Sequence, residues 1–198
     1  AVVEQIISAL ERGKQTLDTI SAVEAAGGRA IYLPCDITDE NSAQAALDRI
    51  AIEVGKIDVF IHAAGFEHSR KIETKTVDEF RRTLMVKATG FFHLFKAMSA
   101  KKMIPNCVVM FSSIAGRFGN TGQTDYSAAN DYLCTLASYL SKHTGVCKVV
   151  ALDWGAWAEV GMASRGFIPE LMKRVGIEMM QPTSAAVLVR REIARASP

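Results

Sequence analysis

The chain has 198 residues, of which 49% are hydrophobic and 22% are charged, and its formal net charge at pH 7 is +2. This length suits one α/β domain with its own core, and the composition is that of an ordinary soluble globular protein. The charge is too small and its Lys and Arg residues too scattered to favour a nucleic-acid partner. No apolar run approaches the roughly 20 residues that a membrane span requires, and the N-terminus lacks the pattern of a signal peptide. We therefore expect no membrane partner and a cytoplasmic location.

Cysteine and histidine usage gives no sign of a disulfide framework or a metal site. The four cysteines form no CxxC pair; they are Cys35, Cys107, Cys134 and Cys147. Three of them lie in or beside apolar runs, which favours buried thiols in a reducing compartment. The histidines are scattered without the spacing of metal ligands. His62 is expected to be a packed, hydrogen-bonded residue.

Along the chain, apolar periodicity alternates between helical and strand-like spacing, which is typical of a parallel sheet with crossover helices. Strands are predicted over 29–35, 58–63, 107–111 and 147–152. Helices are predicted over 3–11, 14–26, 41–54, 76–100 and 124–142, near 168–175, and from Pro182 onward. Thr76 and Glu79 have the spacing of a capping box at the start of the longest helix.

One expected unit is absent from this pattern. A doubly wound nucleotide-binding domain begins with a strand, a Gly-rich turn and a helix whose N-terminus holds the pyrophosphate. No such Gly-rich motif precedes residue 60, and the early glycines Gly13, Gly27 and Gly28 follow no predicted strand. We expect residues 1–198 to form a single Rossmann-like doubly wound domain that is truncated at both ends and lacks its first βαβ unit and last strand.

Three segments in fixed order carry the candidate chemistry. They are Ile61-His-Ala-Ala-Gly65, Phe111-Ser-Ser-Ile-Ala-Gly116 and Tyr126-Ser-Ala-Ala-Asn130. Ligands of open α/β sheets bind beyond the carboxyl ends of the strands, so Ser113 and Tyr126 are expected to face one crevice. Each segment alone is a common structural feature. Together they resemble the short-chain dehydrogenase/reductase family across nearly the whole chain.

An exchange of two residues narrows the resemblance. A tyrosine with a pKa of about 10 needs a nearby cation to act at neutral pH, and ordinary family members place a lysine one helical turn after it. Here that position is Asn130, while Lys87 stands where the family has an asparagine. This exchange resembles the ketoreductase domains of type I polyketide synthases, as do the stretches 119–130 and 152–162. Without Asn130, a solvated helix face would be the ordinary interpretation of Lys87.

The N-terminal segment 1–14 resembles a helical insertion in ketoreductases of polyunsaturated fatty acid synthases. The resemblance implies NADPH-dependent reduction of a 3-ketoacyl group on an acyl carrier protein, with other domains of the same synthase as partners. It implies that Tyr126 donates a proton, Ser113 orients the carbonyl, Lys87 lowers the Tyr126 pKa and holds the ribose, and Asn130 supports the proton relay. The alternative is a non-catalytic ketoreductase-like subdomain that scaffolds a megasynthase.

The resemblance also implies contacts with cofactor and substrate. The implied cofactor residues are Asp36, Ile37, Ala63, Ala64, Gly65, Lys87, Tyr126, Trp154 and Gly155, and the implied substrate residues are Phe118, Trp157 and Met162. Structural interpretations stay open beside these: Asp36 as a helix cap, the small residues as tight packing, and the aromatics as core. Residues 162–176 are expected to form a mobile lid.

Two points stay open in the sequence. Glu67-His-Ser69 replaces the Leu-Asp-Asp motif of one stereochemical class, and Phe118 replaces the tryptophan that marks the other. The sequence therefore fits neither marker. The preference for NADPH over NADH comes from the resemblance alone. Without the Gly-rich unit, the isolated chain is expected to bind NADPH negligibly.

Overall fold

The computed structural model describes residues 2–146, 148–164 and 166–195, and it divides into two compact units, Ala1–Cys35 and Asp36–Pro198. Cys147, which the sequence places at the start of a strand, lies outside the described residues. No helix in the described ranges is both long and apolar enough to cross a membrane.

The described part of the first unit contains one helix, α1 (Val2–Ala25), where the sequence predicts two. Gly13 lies in its interior without ending it. The helix ends at Ala25 and is followed by Gly27, whose φ of 82° lies in the left-handed region. The Gly28 N–H donates to the Val23 carbonyl and the Gly27 N–H to the Glu24 carbonyl, each at 2.9 Å. This pair of bonds is a Schellman motif, in which glycine is the favoured residue.

Residues 29–35 do not form the predicted strand. Their backbone joins no strand ladder with the rest of the described chain, and Ile31 and Tyr32 are exposed. A strand requires a ladder partner for its backbone groups, and apolar alternation cannot supply that partner. The prediction for this segment is therefore wrong.

The second unit is built on a parallel sheet, in which the described residues form three strands. They are β1 (Val59–His62), β2 (Cys107–Ser113) and β3 (Lys148–Trp154), in the order β1-β2-β3. Val59 pairs with Cys107, and Ser113 pairs with Trp154. The central strand is a continuous apolar run with Val108, Val109 and Met110 fully buried. Such a run is typical of a parallel strand that is covered on both faces.

Further helices surround this sheet in the described ranges. They are α2 (Glu40–Glu53), α3 (Val77–Leu84), α4 (Gly90–Ala100), α5 (Ile114–Phe118), α6 (Thr124–His143), α7 (Ile168–Arg174) and α8 (Pro182–Ala194), with a 3₁₀ turn at Met162–Ser164. A π-helical turn, Met85–Thr89, joins α3 to α4, so the predicted helix over 76–100 is continuous but locally widened. The predicted capping box of Thr76 and Glu79 is confirmed.

The core holds α4 and α6 against the central strand. Phe91 of α4 and Leu133 of α6 pack with Val108 and Met110 in one buried cluster. A second cluster joins Leu47 of α2 to α4. Burial of these side chains contributes roughly 1.5–3 kcal/mol each. This packing places the first turn of α6 beside the carboxyl end of β2.

Two thiols in the second unit match the sequence expectation in part. Cys107 is buried in β2 and Cys134 is half-buried in α6, and neither forms a disulfide. Burial raises the pKa of both thiols.

Candidate active site

The carboxyl end of β2 positions Ser113. This residue is the last of the strand and the N-cap of α5, where its side-chain oxygen accepts a hydrogen bond from the Ala115 N–H at 3.2 Å. The chain then passes through Gly119 and Gly122, both at positive φ, and returns to place Tyr126 in the first turn of α6. The β2–α5–α6 connection thus brings a serine and a tyrosine to one edge of the sheet.

Lys87 lies in the π-helical turn and is only 3% exposed. Its ammonium donates to the Phe111 carbonyl at 2.7 Å and lies 5.6 Å from the centroid of the Tyr126 ring. A π turn inserts an extra residue into a helix, and such turns are frequent at functional sites. The structure therefore buries Lys87 next to Tyr126 instead of leaving it on a solvated helix face.

His62, the last residue of β1, is hydrogen-bonded to the backbone of the π-helical turn. Its Nε2 lies 2.9 Å from the Lys87 carbonyl, and its ring packs edge-on against Phe91. Burial lowers the pKa of His62 to about 4. The ring is therefore neutral at pH 7, and Nε2 must carry the proton because a carbonyl can only accept. This residue is packed and hydrogen-bonded, as the sequence indicated.

Burial lowers the pKa of Lys87 to about 8. The ammonium therefore stays charged at neutral pH and readily loses its proton in mild alkali. A buried cation of this kind is costly unless hydrogen-bonded, and the Phe111 carbonyl meets part of that requirement.

The pKa of Tyr126 is raised, contrary to the lowering that was expected from Lys87. Burial is the main cause, and the Glu67 carboxylate adds to it, while hydrogen bonds from Ser113 and Asn130 act in the opposite direction. Lys87 directs its ammonium to the Phe111 carbonyl and lies over the face of the ring, and its charge does not offset the burial of the phenol. Tyr126 is accordingly protonated at neutral pH, the state that a proton donor requires.

Asn130 is fully buried one turn after Tyr126. Its Nδ2 donates to the Tyr126 carbonyl at 2.7 Å, and Ser112 Oγ donates to the Asn130 carbonyl at 3.0 Å. Its Oδ1 is buried and has no hydrogen-bond partner among the described residues. The amide is thus held in place with one acceptor left over, and such orphaned groups are uncommon in folded proteins.

Gly65 brings the loop after β1 against Lys87, with exposed Ala63 and half-buried Ala64 preceding it. A Cβ at residue 65 would lie 3.2 Å from Lys87 Cε and 3.8 Å from Met162 Cε. A side chain at residue 65 would therefore press on the Lys87 side chain, and the same contact places Met162 at the site.

The predicted adenine contact, Asp36, lies at an open pocket. The pocket is lined by Asp36, Thr38, Asp78, Arg81, Arg82, Met85 and Val86. Asp36 Oδ1 accepts hydrogen bonds from the Thr38 N–H at 2.9 Å and the Thr38 hydroxyl at 2.7 Å, and both lower the pKa of Asp36. Sequence reasoning missed Arg81 and Arg82, although their place one to two turns before Lys87 on the same helix was the available signal.

Ile37 does not face this pocket with its side chain. A Cβ on Gly90 of α4 would lie 2.7 Å from Ile37 Cδ1, and the Ile37 carbonyl is 3.0 Å from His93 Nδ1. Ile37 therefore holds the loop that contains Asp36 against α4.

The aromatic residues after β2 and β3 divide into two groups. Trp154, Trp157 and Phe111 pack together, with ring centroids 5.0 to 6.2 Å apart. Gly155 follows Trp154, and a Cβ at this position would meet no atom within 4 Å. Phe118 lies apart from them at the end of α5 and is 83% exposed. Within the described ranges no cluster of His, Cys, Asp or Glu has the arrangement of a metal site.

A parallel sheet with a lysine, a serine, a tyrosine and an asparagine at its carboxyl edge defines a Rossmann-like fold of the short-chain dehydrogenase/reductase kind. The family model described as the KR domain matches residues 6–159, and the chain belongs to this family. A ketoreductase domain from the bacillaene assembly line superposes with a TM-score of 0.78 at 26% identity, covering 93% of this chain and 45% of that one. The predicted fold class and the ketoreductase resemblance are confirmed.

Two further comparisons bear on the relatives of this chain. It is 29% identical to a polyunsaturated fatty acid synthase of Thraustochytrium sp. over 99% of its own length and 7% of that protein. Other relatives include a polyketide synthase of Streptomyces halstedii and a 6-methylsalicylic acid synthase of Penicillium expansum, and the chain spans between 2% and 9% of the length of these three proteins. A short-chain dehydrogenase from Burkholderia cenocepacia in complex with NADP shares the fold, with a TM-score of 0.75 at 21% identity over 91% of this chain and 76% of that one.

Proposed function

We propose that this chain supplies the catalytic residues of a ketoreductase that, in the full-length protein, uses NADPH to reduce a 3-ketoacyl group, carried on an acyl carrier protein, to the 3-hydroxyacyl group. One observation carries the proposal: a buried ammonium, a protonated phenol and a serine hydroxyl meet at the carboxyl edge of the sheet. Lys87 Nζ lies 5.6 Å from the Tyr126 ring centroid, and Ser113 is near enough to lower the pKa of the Tyr126 phenol. Preorganised donors of this kind are usually the largest catalytic contribution.

The residues present fit a nicotinamide dinucleotide. Asp36 lies at an open pocket, Gly65 allows a backbone approach that any side chain would crowd, and Asn130 Oδ1 is a buried acceptor with no donor among the described residues. The residues proposed to hold the cofactor are Asp36, Ile37, Ala63, Ala64, Gly65, Lys87, Tyr126, Trp154 and Gly155. When bound, the cofactor supplies the hydride that reduces the ketone carbon. The relative from Burkholderia cenocepacia, which binds NADP on this fold, supports the choice.

The proton is proposed to come from Tyr126. Ser113 donates a hydrogen bond to the ketone oxygen and holds it against the phenol, which gives its proton to that oxygen as negative charge develops. The raised pKa of Tyr126 keeps the phenol protonated before the reaction. The Lys87 ammonium stabilises the tyrosinate left behind, and Asn130 Oδ1 orders the path by which the phenol is reprotonated.

The substrate and partners follow from the relatives. Synthases many times longer than this chain carry their intermediates between domains, so the other domains of the same synthase are proposed partners. Trp157 and Met162 are proposed to line the acyl channel, and Phe118 is proposed to contact substrate at its exposed mouth.

Activity of the full-length protein tests the proposal. The assay follows NADPH consumption with a 3-ketoacyl N-acetylcysteamine thioester as substrate. We expect Tyr126→Phe to lower kcat by about 100- to 10,000-fold while NADPH affinity stays within about twofold, because only the proton donor is removed. Tyr132→Phe, on an exposed position of the same helix, is the matched control and is expected to keep wild-type activity. Absence of ketone-dependent NADPH consumption in the wild-type protein would favour a scaffolding role.

A further inference from the structure

A buried ion pair, Lys75–Asp125, lies next to the proposed catalytic residues. Neither of its members has been assigned a role above. Lys75 Nζ is 2.6 Å from Asp125 Oδ1, and the two side chains are only 1% and 2% exposed. Desolvating two charges costs about as much as their attraction returns, so a pair this deep is weak evidence for stability alone. Asp125 immediately precedes Tyr126 in the chain, and this position points to another role for the pair.

The Asp125 carboxylate connects the two helices that carry Lys87 and Tyr126. Its Oδ2 accepts a 2.7 Å hydrogen bond from the hydroxyl of Thr83, which is fully buried in α3 just before the π turn of Lys87. The backbone N–H of Tyr126 also acts on this carboxylate and lowers its pKa. One side chain therefore sets the distance between the end of α3 and the first turn of α6.

Lys75 connects the same carboxylate to the loop after β1. Its ammonium donates to the His68 carbonyl at 2.9 Å. Two more hydrogen bonds join the same loop to the segment before Tyr126: the Arg70 N–H donates to the Gly122 carbonyl at 2.8 Å, and Gln123 Nε2 donates to Ser69 Oγ at 3.2 Å. This loop includes Glu67, whose charge acts on the Tyr126 phenol.

We propose that Lys75, Asp125 and Thr83 form a positioning group that sets the Tyr126 hydroxyl relative to the Lys87 ammonium; the catalytic meaning of this placement rests on the function proposed above. None of the three touches the reacting atoms. They act by fixing the first turn of α6, where an anion also interacts favourably with the helix N-terminus.

The carboxylate is suited to this role because it stays ionised. Burial alone would raise the pKa of Asp125, but hydrogen bonds from Lys75, Thr83 and the Tyr126 amide outweigh burial and hold the pKa below its ordinary value. All the contacts that this carboxylate makes are therefore charge-assisted, and such bonds are the more directional ones.

Steady-state kinetics and thermal unfolding of full-length variants test the proposal. We expect Asp125→Asn to lower kcat by about 10- to 100-fold, with KM for the thioester and NADPH affinity within about threefold, because a small misplacement of a reacting group is costly. Thr83→Val, which removes only one hydroxyl, is expected to lower kcat by about 3- to 10-fold with the fold intact. Asp48→Asn breaks the exposed pair with Lys101 and is the control that should keep wild-type kcat.

The double variant Lys75→Met/Asp125→Leu separates positioning from stability. Removing both charges together is expected to keep the melting temperature near that of the wild type, while kcat stays at least about tenfold low. Recovery of kcat together with stability would overturn the proposal, as would wild-type kcat in Thr83→Val.

Crystal structures of the wild type and Thr83→Val supply a readout that does not depend on turnover. A changed separation between Tyr126 Oη and Lys87 Nζ in the variant supports the positioning role, and an unchanged separation refutes it. If the wild-type protein reduces no ketone, the proposed function fails while this structural comparison still decides the positioning role.

Discussion

At the scale of single residues, burial moves the pKa values of Tyr126 and Lys87 in opposite directions. Desolvation disfavours the charged form of each group. It therefore keeps Tyr126 protonated and brings the pKa of Lys87 down to about 8. The phenol is therefore protonated at neutral pH, as its proposed role of proton donor requires, and the Lys87 ammonium is the group that loses its charge in mild alkali.

The Lys87 pKa predicts a pH dependence. Because the folded-state value is lowered to about 8, the ammonium is lost as pH rises through that value. We expect kcat/KM for the ketone to fall above about pH 8, and we expect Lys87→Ala to be slow at every pH without this break. Full pH–rate profiles of both proteins check the result, and a wild-type profile that stays level to pH 10 would contradict it.

Glu67 gives a second prediction at this scale. Its negative charge raises the pKa of Tyr126, so Glu67→Gln removes an unfavourable interaction with the tyrosinate. We expect the Tyr126 pKa to fall in this variant, with the alkaline appearance of tyrosinate absorbance shifted to lower pH. Subtracting the titration of a matching Tyr126→Phe protein isolates the one tyrosine. An unchanged or higher value would show that the carboxylate does not act on the phenol.

At the scale of elements, the contact between α5 and α6 decides where Ser113 and Asn130 lie. Gly116 of α5 approaches the α6 backbone so closely that a Cβ there would be 2.8 Å from the Asp131 N and 2.9 Å from Asn130 Cβ. These are backbone and near-backbone atoms that no rotamer change can move. Glycine at position 116 is therefore required by the packing of α5 against α6. The N-cap of this same helix is Ser113 of the candidate site.

Gly116→Ala tests this contact. To admit the methyl group, α5 must move away from α6 and take its N-cap Ser113 with it. We expect a loss of about 1–3 kcal/mol in stability and a clear fall in kcat. Gly145→Ala is the control, because a Cβ at that position meets nothing within 4 Å. Equal behaviour of the two variants in thermal unfolding and turnover would remove the packing argument.

At the scale of the whole molecule, the buried ring of His62 couples stability to pH. The folded-state pKa of about 4 lies below the ordinary 6.5, so the unfolded state binds a proton in that interval while the folded state does not. The contribution of neutral His62 to the free energy of unfolding is fully present above pH 6.5. It is lost as pH falls toward 4, which lowers the free energy of unfolding by at most about 3 kcal/mol.

His62→Gln is expected to remove this part of the acid sensitivity, since an amide can still donate to the Lys87 carbonyl but does not titrate. Hydrogen exchange of the β1 and α4 amides in the full-length protein, corrected for intrinsic rates, measures the local free energy of opening between pH 7 and 4. The difference between the wild type and the variant isolates His62 from the carboxylates. A difference that is constant across this range would contradict the coupling.

The sequence by itself determined most of the helices and strands of the second unit and their parallel β–α alternation, which follow from periodicity, caps and turn residues, all local properties of the chain. It proposed Lys87, Ser113, Tyr126 and Asn130 as site residues through the family resemblance of their motifs. The capping box at Thr76 is one example, since its four residues specify the helix start without help from the rest of the fold.

Only the tertiary structure decided the features that depend on distant partners. Residues 29–35 have strand-like periodicity, but a strand also needs a neighbour, and no described segment forms a strand ladder with them. The pKa of Tyr126 rises because burial outweighs the opposing effects of Ser113 and Asn130, while the Lys87 ammonium is turned toward the Phe111 carbonyl. The Lys75–Asp125 pair joins residues 50 positions apart, so no local pattern marks it. Burial, strand pairing and long-range ion pairs arise from packing, and they set how the residues named by the sequence work together.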